Sequence, residues 1–522
     1  MGLIDVKKRN LLSAKNKFKK LLIIDKKKYE AYLNLSNVYS IEGDNVKAYS
    51  VLENYLKNIQ ENVEIINALA INLLHQQKIK ELEAHINKYI STYENHILYY
   101  LKGYILNKAD EISKSEFFFK KSIDINSSFW NSYDFLFKQY DKQSRMNSFK
   151  FLINKAEKNF NNNVRFYYYK CLYLFRKKEY ENSLKILEDK EIVKQFISQK
   201  NDIQLADYYD LLSKTYEKLG FCSDSYNAAI KRNEIILGFK ENAKYNKKVI
   251  LNTITIYKKF YNKKNNPKPH ISNNGINHNN LVFLIGFPRS GTTLLDTILR
   301  SHSKTLVLEE KPFLLNVRHE FFKKNQLVDI LKINQEKIIK LQKQYFDSFD
   351  YKSEKLVIDK YPLNLVELGF IRTLFPDSKI ILALRHPLDC IISCVLTAFK
   401  MNDGMVNFEN IQTTSYFYNE CFELLFKYIK FYNIKYHEVK YENVVVNFKY
   451  EINKLLNFLN LDYEEGINNF HKTAMQREKI NTPSYAQVTQ PIYSNSINRH
   501  KKFIEIKNIK VDINQWIKRF SY

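Results

Sequence analysis

One spacing governs the first half of the chain: Tyr32, Ile66, Tyr99, Tyr133 and Tyr167 follow one another at intervals of 34, 33, 34 and 34 residues. A period of that length is one helix–turn–helix unit, and so small a unit cannot bury its apolar face alone. The chain must stack such units side by side. In the clearest of them Tyr32, Leu35, Ser36 and Tyr39 line one helix, Gly43 makes the turn, and Ala48 and Leu52 line the next. Ala14 and Phe18 lie one period before Ala48 and Leu52, which predicts a preceding helix whose partner is truncated. After an insertion the pattern returns at Tyr209, Leu212, Ser213, Tyr216 and Gly220. The sum is about six helical hairpins, and most of these side chains are packing residues rather than ligands for anything.

The array ends where periodicity ends. A helix is expected over residues 247–260, completing or capping the array, and the following stretch, YNKKNNPKPHISNNGINHNN, is crowded with Asn, Lys, Pro and Gly. Such a stretch reads as linker. The predicted division is therefore a helical array over 1–260, a linker over 261–280 and a second domain over 281–522. There, short apolar or β-branched runs at 281–285, 305–308, 355–358, 379–384 and 434–439 alternate with helical patterns at 292–300, 335–346, 366–375 and 416–432. Strand and helix in alternation predict an α/β domain with a parallel sheet covered on both faces. Ligands then bind beyond the carboxyl ends of the strands.

At the first of those ends stands LVFLIGFPRSGTT, residues 281–293. Gly286 and Gly291 permit backbone angles that other side chains forbid, so successive N–H groups can converge on an anion at the positive end of a helix. Ser290, Thr292 and Thr293 add hydroxyls, and Arg289 adds a planar fork of donors suited to phosphate or sulfate. The spacing of the two glycines is that of a P-loop, but a P-loop continues with Lys, and here Thr292 holds that place. The cation has moved inside the loop, which argues against an ordinary ATPase or kinase.

In that form GFPRSGTTLL resembles the 5′-phosphosulfate loop of sulfotransferases, which use adenosine 3′-phosphate 5′-phosphosulfate as donor. The resemblance implies a second anion site for the 3′-phosphate, made by an Arg at a strand end and a Ser about two helical turns later; Arg385 and Ser393 fit. Lys360, in Lys360-Tyr361-Pro362, looks like the family's catalytic lysine, and Lys440-Tyr441-Glu442-Asn443 resembles an element near the nucleotide, with Tyr441 as a contact. In tyrosylprotein sulfotransferases, and in bacterial enzymes joining tetratricopeptide repeats to a sulfotransferase domain, an acidic residue after the second strand is the catalytic base; Glu310 is the closer match and Glu309 the alternate. Residues 482–493 look like a late substrate-side loop, and where relatives follow it with Gly-Arg-Trp this chain has Asn498-Arg499-His500. The implied whole is a tetratricopeptide-repeat solenoid followed by a P-loop-like sulfotransferase domain. Loop amides, Arg289 and Lys360 would stabilise charge on the transferring group and Glu310 would take a proton from the acceptor hydroxyl.

The acceptor stays open between a peptide tyrosine, a glycan, a lipid hydroxyl and a small molecule. Two other classes also stay open: a P-loop phosphotransferase, and a non-catalytic repeat scaffold with a nucleotide-binding domain. The repeats imply a protein or peptide partner by analogy of architecture. No metal is expected, since the 11 histidines show no ligand spacing. A net charge of +26 invites nucleic acid as a partner, but Lys, Asn, Ile and Tyr abound from end to end, so no binding patch stands out and nucleic acid is not expected. The charge would still favour a highly anionic donor. No run approaches the ~20 apolar residues of a membrane span, and residues 1–18 lack the apolar core of a signal peptide. Five scattered cysteines suggest a reducing compartment, hence a cytoplasmic enzyme, and Cys390 and Cys394 are expected to serve packing.

Overall fold

The computed structural model describes residues 2–262, 280–324, 326–476, 496–503 and 513–522. By compactness the chain divides into two units, Met1–Ile186 and Leu187–Tyr522.

The first unit is the expected array. Its helices come in antiparallel pairs, Tyr29–Ile41 with Asn45–Asn58, Val63–His75 with Ile79–Tyr89, His96–Lys108 with Ile112–Ile125, and Trp130–Lys142 with Met146–Phe160. A fifth pair, Val164–Arg176 with Tyr180–Leu187, closes the series, and Leu11–Ile24 precedes it. Tyr32, Leu35, Ala48 and Leu52 are buried, as are Ala14 and Phe18 in the leading helix. The turn inside each pair carries one residue in the left-handed region: Gly43, Gln77, Asp110, Ser144 and Lys178. That conformation suits glycine, and only the first of the five is one. Serine hydroxyls tie paired helices together, Ser36 Oγ donating to the Ala48 carbonyl at 3.0 Å and Ser115 Oγ to the Gly103 carbonyl at 2.8 Å.

The second unit begins before the expected boundary. A further hairpin, Asp202–Leu219 with Cys222–Leu237, has the repeat's own features: Gly220 caps the first helix at φ +86°, and Ser213 Oγ donates to the Ser225 carbonyl at 2.8 Å. It groups nonetheless with the α/β part. Arg232, fully buried, donates to the carbonyls of Val395 and Leu396, and Asn233 to those of Val395, Phe408 and Glu409. Lys247–Phe260, expected to complete or cap the array, packs on Ile411–Tyr432, where Lys258 pairs with Glu420 at 2.9 Å and with Glu423. The compact division thus falls at 186/187 rather than at the predicted 260/261. Apart from Tyr261, Asn262 and Asn280, the expected linker lies outside the described residues.

The sheet has five parallel strands, β1 (Leu281–Gly286), β2 (Thr305–Glu309), β3 (Leu356–Lys360), β4 (Lys379–Leu384) and β5 (His437–Lys440), in the order β2-β3-β1-β4-β5. Every pairing is parallel. Side chains alternate between two cores: Leu281, Phe283 and Ile285 of β1 join one with Val357, Ile380 and Leu382, while Val282 and Leu284 join the other with Ile358, Ile381 and Ala383. A strand buried on both faces reads as an unbroken apolar run, which is why β1 was legible. The connections leave central β1 toward β2 and β3 on one side and toward β4 and β5 on the other, so the point where the strand order switches lies at β1, and its carboxyl end is where such sheets bind ligands. Residues between β2 and β3 are helical, as expected, at Phe313–Phe322 and Gln335–Phe346. Among the described residues no helix is long and apolar enough to cross a membrane.

Candidate functional site

The carboxyl ends of the five strands carry the residues singled out in the sequence, and they fall in sheet order. Glu310 follows β2, Lys360 ends β3, the 286–293 loop follows β1, Arg385 follows β4 and Tyr441 follows β5.

The loop is shaped by close approach. A Cβ on Gly286 would lie 2.6 Å from the Ala383 carbonyl oxygen and 2.7 Å from Ser290 Oγ. Gly291 sits at φ +95° as the residue before the helix Thr292–Arg300, and a Cβ there would meet the Tyr441 ring at 3.0 Å. Arg289 also adopts a left-handed backbone, φ +70°. For a non-glycine residue that costs about 1–2 kcal/mol, strain of the kind found where a backbone must present its groups to a ligand. Thr292 and Thr293 open the helix, both nearly buried, and Ser290 Oγ is buried with no hydrogen-bond partner among the described residues.

Two groups of charges flank the loop. On the β4 side, Ser393 Oγ accepts from Arg289 Nε at 3.0 Å and from Arg499 Nη1 at 3.3 Å. Arg385 donates through Nη1 to the Arg289 carbonyl at 3.3 Å and through Nη2 to the Ser496 carbonyl at 2.5 Å, lies 5.1 Å from the centre of the Tyr441 ring, and has a buried Nε without a partner among the described residues. Two guanidinium groups thus meet at one buried serine, and a third binds the backbone of the loop arginine. On the β3 side, Lys360, wholly buried, donates to Glu310 Oε1 at 2.8 Å, with Asp296 Oδ2 at 3.6 Å and Glu309 Oε1 at 3.8 Å. The backbone locks this pair as well, the Glu310 N–H donating to the Lys360 carbonyl at 2.8 Å, with Glu310 at φ +48°. Of the two candidate bases, Glu310 leaves 33% of its side chain exposed and Glu309 only 7%. A proton acceptor for an incoming hydroxyl needs that access.

Several further groups stand here that no local pattern in the sequence marks. His500 is hydrogen-bonded through Nδ1 with Asp389 Oδ1 at 2.7 Å and stacks on His386 with ring centres 3.9 Å apart. Burial, with the charges of His500, Lys501 and Arg385, pushes the His386 imidazolium down to about 4, so this ring is neutral at physiological pH. The ligand atoms of His386, Asp389 and His500 lie within 4.8 Å of one another, a grouping hidden from linear spacing because His500 stands 111 residues from Asp389. Asp389 is already committed on both sides, to His500 and to Arg385, whose Nη2 is 3.7 Å from Oδ2. In sequence Arg499 stands only as part of a departure from a family pattern, and no local signal marks it as reaching Ser393. Residues 482–493, the expected substrate-side loop, lie outside the described residues. Cys390 and Cys394 are buried and burial pushes both thiols up, in keeping with packing. His302 is a structural histidine, held by the Asp462 carbonyl and the Lys304 N–H.

The model of the Sulfotransferase family matches residues 282–465. A relative from Aquifex aeolicus (strain VF5), described as an uncharacterized protein, is 26% identical over 310 residues, covering 56% of this chain and 39% of its own length. The chain therefore spans about two fifths of the curated relative it matches. Among solved structures, the sulfotransferase domain of the Synechococcus PCC 7002 olefin synthase is 18% identical, covers 46% of this chain and 94% of its own, and superposes with a TM-score of 0.34. A tetratricopeptide repeat protein from Parabacteroides merdae is 13% identical, covering 46% of this chain and 92% of its own, again with a TM-score of 0.34.

Proposed function

We propose that this chain, whose residues 282–465 match the sulfotransferase family, moves a sulfuryl group from adenosine 3′-phosphate 5′-phosphosulfate to an acceptor hydroxyl. The observation that carries the reading is the meeting of two anion cradles at one strand end, the glycine loop with Arg289 and the pair Arg385 and Ser393, with Lys360 and its partner Glu310 at the end of the neighbouring strand. The cradles fit a nucleotide with two separate anionic groups. Buried donors at Ser290 Oγ and Arg385 Nε find no partner among the described residues. Buried polar groups left so are costly unless something else satisfies them.

In the transfer, the bond from sulfur to the donor's phosphate oxygen breaks, a bond from sulfur to the acceptor oxygen forms, and the acceptor's proton must leave. The loop amides, Thr292, Thr293 and Arg289 would hold the 5′-phosphosulfate end, and Arg385 and Ser393 the 3′-phosphate, with the Tyr441 ring packed against both Gly291 and Arg385. Lys360 would stabilise the charge that builds on the leaving phosphate. This is positioning with electrostatic stabilisation, as in phosphoryl transfer. Glu310, the more exposed carboxylate beside Lys360, would take the proton. A peptide tyrosine and a glycan are the acceptors offered by the resemblance, and the repeat array would hold the protein or peptide that presents them.

The test is transfer of radiolabelled sulfonate to lysate fractions, with Arg289→Ala as blank. Labelling by the wild-type chain and none by the blank is the expected result. Equal labelling would refute the site, and magnesium-dependent ATP turnover without response to the sulfonate donor would place the chain among phosphotransferases.

A further inference from the structure

The hairpin Asp202–Leu219 with Cys222–Leu237 looks in sequence like one more packing repeat, yet it sends a carboxylate to the anion site. Glu217 takes Arg499 in a two-pronged pair, Oε1 accepting from Nε at 2.6 Å and Oε2 from Nη2 at 2.6 Å. The remaining nitrogen, Nη1, is the one that reaches Ser393 Oγ at 3.3 Å, the hydroxyl that Arg289 also contacts. A planar guanidinium gripped along one edge can aim only its other edge. Burial opposes ionisation of Glu217, but the charge and hydrogen bonds of Arg499 outweigh it and hold the carboxyl below its ordinary range. The same turn, Arg499–Phe503, is pinned a second time where the His500 N–H donates to Asp389 Oδ1 at 2.7 Å. Arg232 and Asn233 meanwhile fix the hairpin to the carbonyls at the end of the helix Pro387–Val395, which carries Ser393.

We propose that Glu217, on a repeat-type helix, is a positioning residue for the donor's 3′-phosphate: it holds Arg499 so that its free edge completes the cradle of Arg385 and Ser393. The inference rests on the donor reading above and goes beyond it, for it makes a helical hairpin of the repeat pattern part of the nucleotide site. A sulfotransferase domain cut at residue 281 would then lack one support of its own donor cradle.

The experiment is calorimetry on the full chain with two probes, adenosine 3′,5′-bisphosphate and adenosine 5′-monophosphate, which differ in the 3′-phosphate alone. Glu217→Gln keeps the shape of the side chain and removes its charge. It should weaken the bisphosphate about tenfold, the scale of one charge-assisted hydrogen bond, and leave the monophosphate unchanged. Arg499→Ala should do the same, and the double variant should be no worse than Arg499→Ala alone, because both act through one contact. Should Glu217→Gln fail to fold, Arg499→Lys reads the same ratio, since an ammonium keeps the charge but cannot be gripped on one edge and aimed by the other. Equal weakening of both nucleotides would reveal a merely structural role and overturn the proposal, as would an unchanged ratio in Glu217→Gln where Arg499→Ala lowers it. A wild-type chain with no affinity for the bisphosphate would sink the donor reading and this inference with it.

Discussion

At the level of single residues, the site is a problem of unequal burial. Glu309 and Glu310 are neighbours in sequence and both approach Lys360, but one is enclosed and the other is partly open to solvent. Glu310→Gln should therefore lower turnover by roughly a hundredfold or more, the usual worth of a general base, while affinity for adenosine 3′,5′-bisphosphate stays within about twofold. Steady-state rates beside calorimetric affinities check both halves; full activity of the variant would end the assignment. A second carboxyl, Asp359, shows what burial costs without adequate pairing. It accepts from Tyr345 OH at 2.7 Å, yet burial, against the opposing pull of that bond and of Lys360, pushes it up to about 7. In the unfolded chain an aspartate titrates near 4. Between about pH 4 and 7 the folded protein thus binds a proton that the unfolded chain has released, and stability falls as pH rises through that window. Asp359→Asn should remove this slope, gaining about 2–4 kcal/mol over wild type at pH 8 and much less at pH 4.5, as urea midpoints at the two values would show.

At the level of elements, the repeat turns and the strand ends tell different stories about what a sequence reveals. Gly43 adopts φ +84° with open space around it, so a side chain there would meet only backbone strain. Gly43→Ala should destabilise the array by about 1 kcal/mol, and Gln77→Gly should not destabilise it, as denaturant unfolding would show. A loss at Gln77→Gly equal to that at Gly43→Ala would contradict the reading of these turns. Strand ends were legible because each combines an unbroken apolar run with a polar residue where the run stops: Arg385 after β4, Lys360 closing β3, the glycine loop after β1. The last strand was less so; expected over 434–439, it occupies His437–Lys440, since Ile434 is apolar through burial in the core rather than through pairing. The grouping of residues 187–260 could not be read at all. A helical pattern records that a face is buried, and it is silent on whether the partner is another repeat or, as for Ala229, Ile254 and Tyr257, the core beneath the sheet. Arg499 and His500 escaped for a related reason, since their partners Glu217 and Asp389 lie far away along the chain.

At the level of the whole molecule, the chain joins an array of helical hairpins to a unit whose sheet carries cationic groups at its carboxyl edge. The excess of +26 charges is spread too evenly along the sequence to define a patch, but it would favour the proposed donor of several negative charges, raising its encounter rate at low salt. Under the proposed reading specificity would come from the local geometry, where Arg289 and Arg499 meet at Ser393, Arg385 binds the Arg289 carbonyl, and a buried lysine sits among three carboxylates. The most direct measurement is calorimetric titration of the full chain with adenosine 3′,5′-bisphosphate, beside Arg289→Ala and Arg385→Ala. Saturable binding by the wild-type chain, weakened at least about tenfold in each variant, is the expected result; no binding, or binding indifferent to both arginines, would contradict the two-cradle site.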